Sequence, residues 1–408
     1  MEIRPILSSL RHHKTAAGLI VLQIALTCAI VCNALFLISQ RVQRIDTDSG
    51  MQEDEVVMLA MSTLAPQPDA QAQMRSDLAA LRQIPGVRAA ALASQIPWGM
   101  GMSISTISTQ QGETNTRTQQ AAHYIASEGL LATLGLQLVQ GRDFRPEEFI
   151  SSQALDDAPN TQVPAIIINQ GLANLLFPGQ SALGQQVTVY NGSPQRVVGV
   201  VAQLPTPSPR ARDSAQEPAM ILPVSPQGGV YLLRSDKLQR EAVLQAARKV
   251  LLGNSPGLPR AVREQASLQE LRQDFYRQDR AMAWLLGVVC LALLGVTAFG
   301  IVGLASFWVQ QRSRMIGTRR ALGATRADIL RYFQLENLLL STLGIALGLC
   351  GALGLSALLV QHYELPRLPL AYLGVAALLL WALGQLAVWA PARRASQLAP
   401  MQAMRGLA

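Results

Sequence analysis

The sequence predicts an α+β membrane protein with four transmembrane helices, one N-terminal and three C-terminal. A large α/β domain on a helical stalk lies between the first two. Three observations predict this. Segments 15–40, 281–311, 337–361 and 368–392 contain no ionised side chain, and each exceeds the roughly 20 apolar residues a helix needs to cross a bilayer. Residues 41–280 instead alternate between strand-like and helix-like polar patterns. The net charge of +8 is also unevenly placed: residues 41–280 hold 21 Lys/Arg and 22 Asp/Glu, whereas the remainder holds 13 basic and 4 acidic residues.

That partition sets the orientation. Arg4, Arg11 and Lys14 precede the first span. Arg312, Arg314, Arg319, Arg320, Arg326 and Arg331 lie between the second and third, and Arg393, Arg394 and Arg405 follow the fourth. Short basic flanks stay in the cytoplasm. The expected layout is a cytoplasmic N-terminus (1–14), a first span (15–40), an outer domain (41–280), a second span (281–311), a cytoplasmic element (312–336), a third span (337–361), an outer loop (362–367), a fourth span (368–392) and a cytoplasmic tail (393–408). Topology accounts for the arginines, so no nucleic-acid partner is expected. The first apolar run ends in Ile38-Ser39-Gln40-Arg41. It is longer than the roughly 7–15-residue apolar core of a cleaved signal sequence and lacks a small-residue cleavage pattern, so an uncleaved anchor is expected.

Cys28, Cys32, Cys290 and Cys350 all fall in predicted spans. The outer domain must therefore stand on its core without disulfides, which its size permits. Cys28 and Cys32 are one helical turn apart without a nearby His or acid, and read as small apolar packing residues.

Within the outer domain, residues 56–61 read as a strand, 69–83 as a helix closed by Pro85-Gly86, and 87–94 as a second strand. The order recurs in 230–233, 237–252 and 260–265. Two β-α-β units split by an insertion predict a ferredoxin-like layer, segments 55–97 and 225–266, around an inserted mixed α/β subdomain, 98–224. Strand-like runs in the insertion are 165–168, 186–190 and 196–201, and its Pro-rich stretch from Leu204 reads as an exposed loop. Residues 267–280 read as a stalk: Leu268, Leu271, Phe275 and Met282 share a helical stripe that runs unbroken into the second span, paired with residues 41–46.

No phosphate-cradling G-x-x-x-x-G-K-[ST], no H-E-x-x-H or paired-Cys zinc pattern and no G-x-S-x-G elbow occurs. No catalytic, cofactor-binding or metal-ligating residue is assigned. His12 and His13 sit on a cytoplasmic flank, and His123 and His362 are isolated. The spans carry no charged pair of the kind ion-driven transporters keep, and Glu336 reads as an interfacial carboxylate. Ser341, Gly344, Gly348 and Gly351 form a small-residue stripe suited to close helix packing, within the bundle or across a dimer. In the basic loop, Gly323 is placed to end a short helix, and Thr325-Arg326-Ala327-Asp328 forms a capping box that opens another. Docking a partner and anchoring to the membrane surface both fit this element.

The segment Arg314-Met315-Ile316-Gly317-Thr318-Arg319-Arg320-Ala321-Leu322-Gly323-Ala324-Thr325-Arg326-Ala327-Asp328-Ile329 resembles the R-E-I-G-x-R-R-A-L-G-A-x-R-x-D-I signature of MacB/FtsX-type ABC transporter permeases. Pro391-Ala392-Arg393-Arg394-Ala395 through Pro400 and Arg405 is similar to the family's C-terminal pattern. So are Leu134-Gly135-Leu136, Gly141-Arg142-Asp143-Phe144, Ile168-Asn169, Leu176-Phe177-Pro178-Gly179, Leu183-Gly184 and 197–201 in the outer domain. The resemblance covers nearly the whole chain. It implies a bacterial inner-membrane permease with both termini cytoplasmic and a periplasmic outer domain. It also implies a dimer with a second, identical or different permease, and a separate ABC ATPase subunit that holds ATP and Mg. The resemblance is also compatible with an adaptor and an outer-membrane channel as further partners. Coupling to the ATPase falls to Met315, Gly317, Arg319, Arg320, Ala321, Leu322 and Gly323. Met315 stands where the family commonly has Glu, so a carboxylate that could pair with a basic partner group is absent. The favoured function is an export permease working by mechanical transmission, because an activator needs only a small docking module and this outer domain is large; the alternative is a non-transporting activator of an envelope enzyme. An autonomous membrane enzyme is disfavoured by the missing motifs.

Overall fold

The computed structural model describes residues 14–63, 69–99, 101–109, 116–158, 161–189, 194–208, 217–254, 259–363 and 368–397. The C-terminal run from Pro400 to Arg405, His12 and His13 lie outside them. Contacts gather the chain into two units, one reaching up to Val42 and resuming at Asp279, the other Gln43–Gln278.

Helix α1 (Lys14–Asp46) comes first. The α/β unit then runs β1 (Val56–Thr63), α2 (Ala70–Arg82), β2 (Val87–Ala93), β3 (Ile104–Thr109), β4 (Thr118–Ile125), α3 (Leu130–Leu134), β5 (Leu138–Gly141), β6 (Ile150–Ser151), α4 (Ser152–Asp157), β7 (Ala165–Asn169) and α5 (Gln170–Leu176). It continues with β8 (Gln186–Thr188), β9 (Pro194–Val201), β10 (Ala219–Leu222), β11 (Val224–Ser225), β12 (Val230–Ser235), α6 (Arg240–Gly253), β13 (Arg260–Ser267) and α7 (Leu268–Phe275).

Four strands form an antiparallel sheet in the order β13-β1-β12-β2, with Met58 opposite both Leu232 and Ala266. Both faces are buried, which is why Val56-Val57-Met58-Leu59 is a continuous apolar run rather than an alternating one. Val57, Leu59, Leu92 and Leu233 pack under α2 and α6, against Met74, Leu78, Leu81, Val243 and Leu251. Val56, Met58, Ala91 and Leu232 face a second core shared with Tyr124, Leu134 and Ile167 of the insertion. The ferredoxin-like layer expected from the two β-α-β units is therefore present. Asp77 of α2 is fully buried beneath it and accepts hydrogen bonds from Arg260 (2.7 and 3.1 Å), Tyr231 (2.6 Å), Gln73 and Asn254 (both 2.9 Å). Burial and the Asp77 carboxylate push the Tyr231 hydroxyl well above the ordinary tyrosine range.

The insertion folds into a seven-stranded mixed sheet, β5-β9-β7-β10-β4-β3-β8, and β8 also pairs with β9, closing the sheet back on itself. The Gly141-Arg142 turn is fixed by backbone: Gly141 has φ +81°, and any Cβ there would collide with the Val198 carbonyl. Asn169 is fully buried at the N-cap of α5, accepting from Leu172 N–H at 3.0 Å and donating to Glu217 O at 2.7 Å.

Two expectations are corrected. The described start of the Pro-rich stretch is buried rather than exposed: Leu204, Pro205, Thr206 and Pro207 are all covered, and Tyr124 Oη donates to Pro205 O at 2.6 Å. Tertiary packing overrides the loop composition there. The stalk is not one unbroken helix. Helix α7 opens on a Ser267/Glu270 capping box and ends at Tyr276, which is buried and stacks edge-on against Phe275 at 5.0 Å. Leu268, Leu271, Phe275 and Tyr276 belong to the α/β core, so the apolar stripe that suggested one continuous stalk helix is largely taken up by packing there. Arg272 ties α7 to Glu53 and donates to the Ile45 carbonyl at 2.8 Å.

The second unit is helical: α1, α8 (Arg277–Gln311), α9 (Ser313–Ala321), α10 (Arg326–Tyr363) and α11 (Leu370–Ser396). Among the described residues, α1, α8, α10 and α11 are long and apolar enough to cross a membrane. At one end of this unit Arg41 of α1 forms an ion pair with Asp279 of α8.

Candidate coupling element

Helix α9 is short and sharply bounded. Its end is a Schellman motif: Ala324 N–H reaches Arg319 O at 3.0 Å, Gly323 N–H reaches Arg320 O at 3.1 Å, and Gly323 takes φ +98°. Thr325 then caps the next helix, accepting from Asp328 N–H at 3.2 Å while Asp328 accepts from Thr325 N–H at 3.0 Å. The Gly stop and the capping box are thus both formed. The helix they open does not end at the membrane boundary; it continues as α10 through to Tyr363.

One side of α9 is pinned to its neighbours. Ile316 is buried, as is Gly317, and Ile316 joins the helical core with Ile329 and Phe333 of α10. Arg320 Nη1 donates to Ser396 O at the end of α11 at 3.1 Å, a favourable place for a cation. Arg319 lies over the Tyr332 ring at 5.0 Å. The two arginines therefore hold α9 in place. The opposite side is open: Met315, Thr318 and Leu322 are exposed and recur at helical spacing, with Leu322 84% exposed. Ala321 and Gly323 are exposed at the same end.

The joint before α9 carries the feature missed from sequence. Arg312 is buried and its Nη1 donates to both carboxylate oxygens of Glu336, at 3.0 and 2.9 Å. Glu336 is 1% exposed, so it is a buried ion-pair partner and not an interfacial carboxylate. The available signal was an isolated acid in an apolar helix, which needs a cation, and Arg312 follows directly after the uncharged run ending at Gln311.

The small-residue stripe lies at helix contacts inside the chain. A Cβ on Gly348 would stand 2.5 Å from Cys28 Cβ and 2.6 Å from Ala25 O, and one on Gly344 would stand 2.8 Å from Ile24 Cβ. Gly351 faces Ala29 at 3.6 Å. Ser341 is buried, with its Oγ 3.0 Å from the Cβ position of Gly384 on α11. Thr27 and Thr297 add a hydrogen bond of 2.8 Å between α1 and α8.

Residues 18–250 match the family of MacB-like periplasmic core domains, and residues 287–400 match the FtsX-like permease C-terminal family. The chain belongs to the MacB/FtsX-type ABC transporter permeases. An uncharacterized ABC transporter permease, YvrN of Bacillus subtilis, is 29% identical to this permease over 212 residues, 49% of this chain and 51% of that one. The macrolide export ATP-binding/permease protein MacB 1 of Aeromonas hydrophila is 27% identical over 289 residues, 68% of this chain and 43% of that one. The chain spans about half or less of the length of these curated relatives. The crystal structure of the periplasmic region of MacB from Actinobacillus actinomycetemcomitans aligns with a TM-score of 0.32 at 14% identity, covering 55% of this chain and 94% of that one.

Proposed function

We propose that this permease is the membrane subunit of an ABC-type export complex and passes an ATPase's movement to its α/β domain. It sits in a bacterial inner membrane with both termini cytoplasmic. Its ATPase is a separate subunit carrying ATP and Mg, a second permease completes the membrane part, and an adaptor with an outer-membrane channel receives the substrate. The observation that carries this reading is the form of α9. The helix is locked on one side by Ile316, Arg319, Arg320 and Arg312, and presents Met315, Thr318 and Leu322 on the other. Movement pressed onto the open side passes into α10 and α11 because the locked side cannot slip. Met315 and Leu322 make the contact partly apolar, which suits a hydrophobic groove on the ATPase in place of the family's carboxylate contact.

The test is ATP hydrolysis by the complex in proteoliposomes. Met315→Asp with Leu322→Asp changes exposed side chains and leaves the bundle intact. Losing two apolar contacts of about 1.5 kcal/mol or more each lowers ATPase affinity by roughly 100-fold. Unchanged binding and unchanged hydrolysis would remove α9 as the contact.

A further inference from the structure

We infer that a single water molecule is bound at the joint between α8 and α9, held by Trp308, Asn337 and Glu336. These side chains form the polar side of a small cavity in the helical unit, with Ile20, Phe333 and Leu340 on its apolar side. The centre of a water-sized sphere can occupy about 10 Å³ there, about the least that holds one water.

The donor set fits that occupant. Trp308 and Asn337 are 5% and 6% exposed, and Trp308 Nε1 and Asn337 Nδ2 find no hydrogen-bond partner among the described residues. Buried donors are satisfied as a rule, and two unsatisfied donors lining one cavity call for a partner inside it. Two N–H donors and one carboxylate complement a water, which accepts twice and donates to the acid. Arg312 Nη2 and Ser341 Oγ are likewise without a partner among the described residues, so the whole cluster is rich in donors. Arg312 lies over the Trp308 ring at 5.5 Å and neutralises Glu336, so the cavity borders an ion pair of no net charge and favours a neutral guest over an ion.

The placement has a consequence for α9. Arg312 is the residue between α8 and α9, and its buried guanidinium sets where α9 begins. A water beside the pair offers Glu336 and Arg312 an alternative partner when the joint flexes, so the ion pair can lengthen without leaving a bare charge. The water site itself does not depend on the transport reading, and its test uses the permease alone.

The test is X-ray hydroxyl-radical labelling of the full chain in nanodiscs, with isotopically labelled bulk water. A held water generates radicals on the spot. Phe333, 4% exposed, is expected to be modified several-fold faster than Phe36, which is equally buried. The oxygen in its product should lag behind the bulk isotope. Asn337→Leu fills similar volume without the donor and should bring Phe333 down to the Phe36 rate. Trp308→Phe is a second variant with the same expected result should the first fail to assemble. Equal rates at Phe333 and Phe36 in the unmodified chain would overturn the inference. So would labelling at Phe333 that falls as chloride is added, which would assign the cavity to a halide.

Discussion

Gly348 and Gly354 lie six residues apart on α10, on different faces, and meet different surroundings. At Gly348 a Cβ would meet Cys28 Cβ at 2.5 Å, Ala25 O at 2.6 Å and Ala25 Cα at 3.1 Å. Carbon atoms in contact normally sit about 3.5–4.0 Å apart, and two of the three obstacles are α1 backbone, which cannot rotate away. At Gly354 nothing stands within 4 Å. Alanine at either position gains about 1 kcal/mol of helix propensity over glycine. At Gly354 that gain is kept. At Gly348 it is opposed by an overpacking cost of about 1–3 kcal/mol. Gly354→Ala should therefore be neutral to stabilising, and Gly348→Ala should fall below it by about 1–3 kcal/mol, roughly 5- to 150-fold in the unfolding equilibrium. The assay is reversible SDS-induced unfolding in mixed micelles, followed by helical circular dichroism. Equal stability of the two variants would refute close α1–α10 packing at this level.

Three further outcomes are expected. Asp77→Ala strips the carboxylate from a 4% exposed arginine, and breaking such a pair costs about 3–5 kcal/mol; a loss below about 1 kcal/mol in urea unfolding of the α/β domain would contradict the network. Burial holds the His123 imidazole below its usual range, so its folded form resists protonation and its contribution is lost as the pH falls below about 6.5. The melting temperature of the unmodified chain should accordingly drop more steeply below that pH than that of His123→Gln, and parallel curves would exclude the effect. In a background without the native cysteines, Leu238→Cys should react with an impermeant thiol reagent added from the outer side and Thr318→Cys should not; the reverse pattern would invert the proposed orientation.

The spans were legible because an ionised side chain in lipid is costly, so long uncharged runs stand out. Their ends were not, since helices such as α1 and α10 continue past the uncharged run into polar sequence. The four-stranded layer was legible from two repeats of strand, helix and strand. Much of the second sheet was not: β3 reads Ile-Ser-Thr-Ile-Ser-Thr and β4 begins Thr-Gln-Gln, with too few apolar residues to announce strands. The Gly323 stop and the Thr325 cap were legible because each is set by residues adjacent in the chain. The buried Arg312–Glu336 pair joins residues 24 apart, one at the joint between α8 and α9 and the other on α10, and nothing in a local window shows which arginine meets which acid. The roles of Arg319 and Arg320 were hidden for the same reason, because Tyr332 and the Ser396 carbonyl come from other helices.

The proposal that α9 is where an ABC ATPase engages this permease is tested most directly by photocrosslinking in living cells. A benzophenone side chain is placed at Leu322, 84% exposed at the end of α9, and in a parallel strain at Leu238, 97% exposed in the α/β unit. The account predicts an adduct between the Leu322 position and an ABC ATPase, identified by mass spectrometry, with none from Leu238. Adducts of the Leu322 position with lipid alone, or an ATPase adduct from Leu238, would contradict it.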